Sequence, residues 1–200
     1  PHDEAIITFC EENSLMFVDE DEVSPIDSAT ISNYVPSISR VGWLKQQLIK
    51  LNCFKIPGIK SNVLIMDADT VLLKRQFFCK GNDDIILFFS DEFHFYYRLA
   101  NRFLLGRYSF YPFSFISHHQ VFNMEHLKSL TILLEKLHNE KWYNSFLIAA
   151  SIYDNFVSEY ELYAQYVTQF TEAKYTPQYW FNNNLEYQNY FEEPFNNFSA

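Results

Sequence analysis

Two carboxylates, Asp67 and Asp69, follow directly on the apolar run Val63-Leu-Ile-Met66. An acid pair at the end of a strand suits a divalent cation, or the phosphates a cation carries. Hard oxygen ligands favour Mg²⁺ or Mn²⁺, which keep coordination positions open for phosphate and water. In a continuing strand, residues 67 and 69 would point to one face; just past its end both can reach one cation from the loop. A cation held there offsets the charge that builds on a departing diphosphate. A second set of residues could surround it. Arg40 can meet a phosphate or form a surface ion pair, and Trp43 can stack on a base or sugar or pack inward. Gln46, one turn on, is a further contact. His118 and His119 are adjacent in a strand and point to opposite faces, so at most one lines a site. Glu159 can deprotonate a hydroxyl, and Asp91 and Glu92 are the other candidate bases.

The elements that must position these residues follow from hydrophobic period. Residues 62–66 read as a strand buried on both faces, as in a parallel sheet between helices, with ligands at its carboxyl end. Ala5-Ile-Ile-Thr-Phe9 and Leu15-Met-Phe-Val18 read as two short strands, and Asp19-Glu-Asp-Glu22 as a solvated loop after them. Ile38, Val41, Leu44, Leu48 and Leu51 form one helical stripe, predicting a helix over 37–52. Pro57-Gly58 breaks the chain before the acid strand. Asp84–Phe89 reads as a buried strand, 91–112 as an irregular aromatic stretch with a helix and loop, and 115–122 as a strand. Asn123 caps a helix carrying Leu127, Leu130, Leu134 and Leu137 on one face. Helices are expected over 142–153 and 159–170. For the latter, Ser158 and Glu161 make a capping box, which leaves Glu159 free for chemistry; its place in the first helical turn tends to lower its pKa. The tail from Tyr175 carries no assignable pattern. Alternating strands and helices imply an α/β fold, one domain over 1–200, with a central mixed, mostly parallel sheet flanked by helices. The first two strands lack a helix between them. Either they form a hairpin, or a strand–helix unit lies upstream of Pro1, where no initiator Met stands.

Totals narrow the function. A net charge of −10 argues against a general nucleic-acid binder, and means that a phosphorylated ligand meets a repulsive surface, which a divalent cation at the acid pair would offset locally. The 19% aromatic content fits core filling or stacking platforms for sugars or bases. Three cysteines without metal spacing read as reduced thiols of a cytoplasmic protein. No apolar run has the length of a membrane span, and none reads as a signal peptide.

Hydrophobic strand followed by Asp67-Ala-Asp69-Thr70 resembles the DXD motif of GT-A-fold, Rossmann-like nucleotide-sugar glycosyltransferases. Three further segments are similar to a glycosyltransferase-like family of bacterial surface polysaccharides: Gly42-Trp43-x-x-Gln46-Gln47-x-x-Lys50-Leu51, Ser114-Phe-Ile-Ser-His118-His119-Gln-Val-Phe-Asn123 and Ser158-Glu159-Tyr-Glu161-Leu-Tyr163. They cover about residues 40–165. The resemblance implies transfer of a sugar from a nucleotide-diphosphate sugar to a saccharide or glycoconjugate acceptor, with Mn²⁺ or Mg²⁺, in the cytoplasm or at the inner face of the membrane. It implies Asp69 as metal ligand to the diphosphate, Asp67 facing the ribose or a metal-bound water, and an acceptor pocket bordered by the strand of His118 and His119. Some members take a further metal ligand from a late His; no His follows His138 here. Asp67-Ala-Asp69-Thr-Val-Leu72 also resembles the first motif of haloacid-dehalogenase-type phosphatases, with Asp67 as nucleophile and Ser90 imitating the second motif. That reading requires a positioned Lys and a later acidic pair after a strand; Asp83-Asp84 comes too early. A non-catalytic carbohydrate-binding or assembly protein is a third reading, though it does not require the acid pair.

Overall fold

Which apolar runs become strands here is decided by whether a backbone partner is available. In the computed structural model, which describes residues 4–35, 38–72, 75–80 and 84–180, the chain opens with α1 (Glu4–Glu12), α2 (Glu20–Val23) and α3 (Ser28–Ser32). A 3₁₀ turn at Ile38–Arg40 leads into α4 (Val41–Asn52), followed by β1 (Asn62–Met66), β2 (Cys79–Lys80) and β3 (Asp84–Phe89). Then come α5 (Phe95–Leu105), β4 (His119–Asn123), α6 (Met124–His138), α7 (Trp142–Ile152), α8 (Glu159–Phe170) and β5 (Tyr175–Tyr179). The described residues thus form an α/β fold of helices and two small sheets, β1-β4 and β2-β3-β5.

The N-terminal strands expected from sequence are not present. Residues 5–9 lie within α1, and 15–18 form no regular element. A short apolar run fits either period, and a strand survives only when a neighbour satisfies its backbone. A helix closes its own hydrogen bonds, and α1 buries none of its residues. Residues 20–22, expected as loop, form α2, with the Asp19 carboxylate accepting from the Asp21 N–H. Glu20 and Asp21 then pair with Lys45 of α4 at 2.8 and 2.5 Å.

The acid strand also differs from expectation. β1 is not buried on both faces: Leu64 and Met66 are exposed and alternate with half-buried Val63 and Ile65. Its partner is β4, and the pairing is antiparallel, from Asn62↔Asn123 to Met66↔His119. Among the described residues parallel pairing is confined to β3 and β5, so the mostly parallel sheet gives way to mixed pairing. β5 occupies the start of the tail left unassigned by sequence; the rest of that tail lies outside the described residues.

The core gathers around α8. Every residue from Glu159 to Val167 is buried, so its polar groups must be satisfied within the protein. α4 covers it with Leu44, Leu48 and Leu51, and α6 with Leu127, Leu130 and Leu134. Each such leucine contributes about 1.5–3 kcal/mol. The buried side-chain amide of Gln120 joins the two sheets. It accepts from the Phe88 N–H at 3.3 Å and, in the orientation satisfying both groups, donates to the Ile86 carbonyl at 3.0 Å. Among the described residues no helix is long and apolar enough to cross a membrane.

Candidate functional site

The acid pair is presented by a turn. The Asp67 N–H donates to the His118 carbonyl at 2.9 Å, extending the β1/β4 ladder by one step. The chain then folds back, and the Thr70 N–H donates to the Asp67 carbonyl at 3.0 Å. This one-turn reversal, and not strand alternation, keeps Asp69 beside Asp67. One ligand atom each from Asp67, Asp69 and His118 lie within 4.8 Å of one another. Asp67 is half-buried, whereas Asp69 and His118 are exposed.

The two oxygens of Asp67 face different surroundings. Oδ1 accepts from the Lys50 ammonium and from the Tyr160 hydroxyl, the latter at 3.3 Å. Oδ2 faces outward, 3.3 Å from His118 Nδ1. Lys50 reaches this position from the last turn of α4, where the helix dipole favours a cation. Its Nζ also donates to Glu159 Oε1 at 2.7 Å and to the Tyr160 oxygen at 3.3 Å, and lies 4.7 Å from the Tyr160 ring centroid. Burial by itself would lower the Lys50 pKa, but the Glu159 and Asp67 carboxylates outweigh it and raise it. Burial alone would raise Asp67; its hydrogen bonds to His118 and Lys50 prevail, and its carboxyl is held below the usual range. The hydrogen bond to Asp67 raises His118 against the opposing effect of burial. Glu159 is pushed up, because its complete burial outweighs the nearby ammonium.

The remaining candidates lie at graded distances. Glu159 touches the site but is buried and held by Lys50, while its N–H donates to Gln47 Oε1 at 3.1 Å. Only the serine half of the expected capping box forms at the start of α8. The Ser158 hydroxyl accepts from the Glu161 N–H, but the Glu161 carboxylate turns to the Ser114 hydroxyl, at 3.0 Å, and to the Phe115 N–H. Arg40 lies over Trp43, 5.1 Å from its ring centroid, at the far end of α4. Arg40, Trp43, Gln47 and Lys50 recur at spacings of three, four and three, so they share one row along the helix. Gln46 is exposed beside that row. The Asp67 carboxylate meets Lys50, Tyr160 and His118, and not Arg40, Trp43 or Gln46, among the described residues. Asp91 and Glu92 are exposed just beyond β3, and Glu92 is near enough to His118 to help raise it.

The strand expected over 115–122 begins only at His119, so His118 lies just before β4, and the two imidazoles diverge. His119 is fully buried among Phe78, Phe88 and Trp180, with ring centroids 5.3, 4.3 and 4.1 Å away. Among the described residues neither of its nitrogens has a hydrogen-bond partner, and burial takes its pKa down to about 4. It does not line the same surface as His118. Sequence reasoning assigned no role to Lys50, Tyr160 and Gln47. Two of them carried a signal, since Gln47 and Lys50 follow Trp43 at helical spacing.

The donor set fits a divalent cation: two hard carboxylates and one imidazole open to solvent, with a fixed ammonium behind Asp67 to limit their mutual repulsion. The chain matches no protein-family model, and no curated protein or solved structure matches it either.

Proposed function

We propose that the chain is a metal-dependent glycosyltransferase of GT-A type that moves a sugar from a nucleotide-diphosphate sugar to an acceptor hydroxyl, in synthesis of a surface polysaccharide or glycoconjugate. The observation that carries this reading is the Asp67–Thr70 turn, which gathers Asp67, Asp69 and His118 at the end of β1. Asp69 and Asp67 Oδ2 would hold Mn²⁺ or Mg²⁺, which when bound supplies positive charge to the leaving diphosphate. Lys50 and Tyr160 orient Asp67 by fixing Oδ1. Farther along the α4 row, half-buried Trp43 and exposed Arg40 would offer an aromatic face and a guanidinium to the rest of the nucleotide, while Gln47 and Lys50 are committed inside the protein.

In the transfer, the bond from the anomeric carbon to the diphosphate oxygen breaks and a bond from that carbon to the acceptor oxygen forms. The acceptor proton passes to a carboxylate. Asp91 is exposed and makes no ion pair among the described residues, which leaves it the freer base for this step, whereas Glu159 is already paired with Lys50. Calorimetry with UDP, GDP and CMP, each with and without Mn²⁺, tests the reading. Metal-dependent binding of a nucleoside diphosphate that disappears in Asp69→Ala supports it.

One contact favours a second reading. The Lys50–Asp67 pair supplies the positioned lysine that a haloacid-dehalogenase-type phosphatase needs beside its nucleophile. Hydrolysis of a phosphomonoester with phosphate trapped on Asp67, in a protein that binds no nucleotide, would select that reading over transfer.

A further inference from the structure

We propose that the open edge of β1 pairs with β1 of a second copy, antiparallel and two-fold about Leu64, so that a continuous sheet β4-β1-β1-β4 runs through a dimer. This contact is independent of the transferase chemistry. It follows first from which backbone groups the β1-β4 ribbon leaves over. The Asp67 N–H donates to the His118 carbonyl and the Met124 N–H to the Ser61 carbonyl, so residues 61 and 67 bond across to the β4 side. In an antiparallel ladder such bonded pairs alternate with unbonded ones. With the register running from Asn62↔Asn123 to Met66↔His119, Val63 and Ile65 also bond to β4. Asn62, Leu64 and Met66 therefore turn their N–H and C=O groups to the opposite edge. No described strand lies along that edge.

β1 also lacks the devices that keep an edge unpaired. It contains no proline and no charge, its register has no bulge, and the side chains of Asn62, Leu64 and Met66 are exposed.

The sequence of β1 and its flanks selects the occupant. Two copies can meet antiparallel in several registers, but only the one centred on Leu64 matches every outward residue with another: Leu64 with Leu64, and Asn62 with Met66. Each such pair exchanges two hydrogen bonds, and the exposed leucines become cross-strand neighbours. Charge favours the same arrangement. Lys60 before the strand and Asp69 after it are both exposed, and neither makes an ion pair among the described residues. The Leu64-centred register sets Lys60 of each copy opposite Ala68 of the other, within reach of the turn that carries Asp67 and Asp69. Lys50 balances those acids only from inside; Lys60 of the other copy would do so from outside. Parallel pairing would instead bring Lys60 to Lys60 and acid turn to acid turn, which repel. The edge thus supplies both halves of its own complement.

Sedimentation velocity of the whole chain over a concentration series tests the pairing, in chelator-treated buffer so that no cation competes with Lys60 for the acids. A contact through one short strand lies at the small end of interface sizes, so a reversible, micromolar dimer is expected, weakened by salt. Leu64→Pro removes an outward N–H without touching a bond to β4, and should raise Kd at least about tenfold. Lys60→Glu, at an exposed position outside the strand, should also raise Kd, by about tenfold, and keeps the test decisive if the proline variant does not fold. Lys60→Glu and Asp69→Lys should each self-associate poorly but form a heterodimer when mixed, because each then complements the other. A chain that stays monomeric throughout the series overturns the proposal. So does a dimer whose Kd is unchanged in Leu64→Pro and Lys60→Glu, which would use another face. Growth beyond the dimer would overturn it as well, because a two-fold contact closes on itself.

Discussion

Lys50 governs the site at the scale of single residues, because one ammonium separates two carboxylates that would otherwise repel. Replacing it with Met leaves Asp67 and the buried Glu159 without their counter-charge, at a cost of about 3–5 kcal/mol. Denaturant unfolding should show this loss, and Lys50→Met/Glu159→Leu should recover much of it. A single-mutant cost below about 1 kcal/mol would mean that the ammonium is not what holds Asp67 in place.

Proton linkage gives a second expectation, in chelator-treated buffer. Asp67 has a lowered pKa, so its contribution is present above 3.8 and lost as pH falls through its folded value. His118 has a raised pKa, so its contribution is present below 6.5 and lost as pH rises through its folded value. Both therefore contribute between those ordinary values. The unfolding free energy of wild-type protein should decline slightly above pH 6.5, by less than about 1 kcal/mol for so exposed an imidazole. In His118→Ala that decline should vanish; an identical profile would remove His118 from the linkage.

Among the elements, α8 does most to assemble the site, and its polar side chains act on other segments. The Glu161 carboxylate, buried by the fold, has its pKa raised by that burial despite the bonds from Phe115, Gln165 and Ser114. It fastens the segment that leads to His118. Glu161→Leu would leave the Ser114 hydroxyl and Phe115 N–H unpaired, at about 1–3 kcal/mol for each buried group. Amide exchange of residues 114–118 should accelerate more than that of α6; uniform acceleration would mean general destabilisation instead.

These relations show what could be read from the chain. The stripes of α4 and α6 were legible because helical period is local, and so was the serine cap of α8. The strand carrying the acids was legible as a strand, but its partner and its exposed face were not. Pairing with β4 depends on residues more than fifty positions away in sequence, and the Lys50–Glu159 contact spans 109. The acid pair itself was legible. The fold-back at Thr70 that brings its carboxylates together was not, because strand alternation made the same prediction for a different reason.

Across the whole molecule, the same distinction separates the core from the N-terminal region. α1 is helical yet contributes no buried residue, while α2 is fastened to α4 through Lys45. Deleting residues 1–12 should therefore change stability by less than about 0.5 kcal/mol. Thermal unfolding of the shortened chain tests this, and a larger loss would show that α1 has a packing role. The acidic balance of −10 leaves the outward-facing acids of the site in a repulsive field for any diphosphate. Lys50 relieves that repulsion only from the inside, behind Asp67.

The two-stranded β1-β4 ribbon has a mechanical consequence. β1 is laced to a neighbour along one side only among the described residues, and its outward side chains, Leu64 and Met66, are exposed. The acid-bearing turn is thus the tip of a cantilever clamped along β4. A ribbon of two strands is compliant compared with the middle of a wide sheet. Under the proposed function its tip would swing through the small distance needed to close three ligand atoms on an ion, while the ammonium and hydroxyl at its base preserve the aim of Asp67.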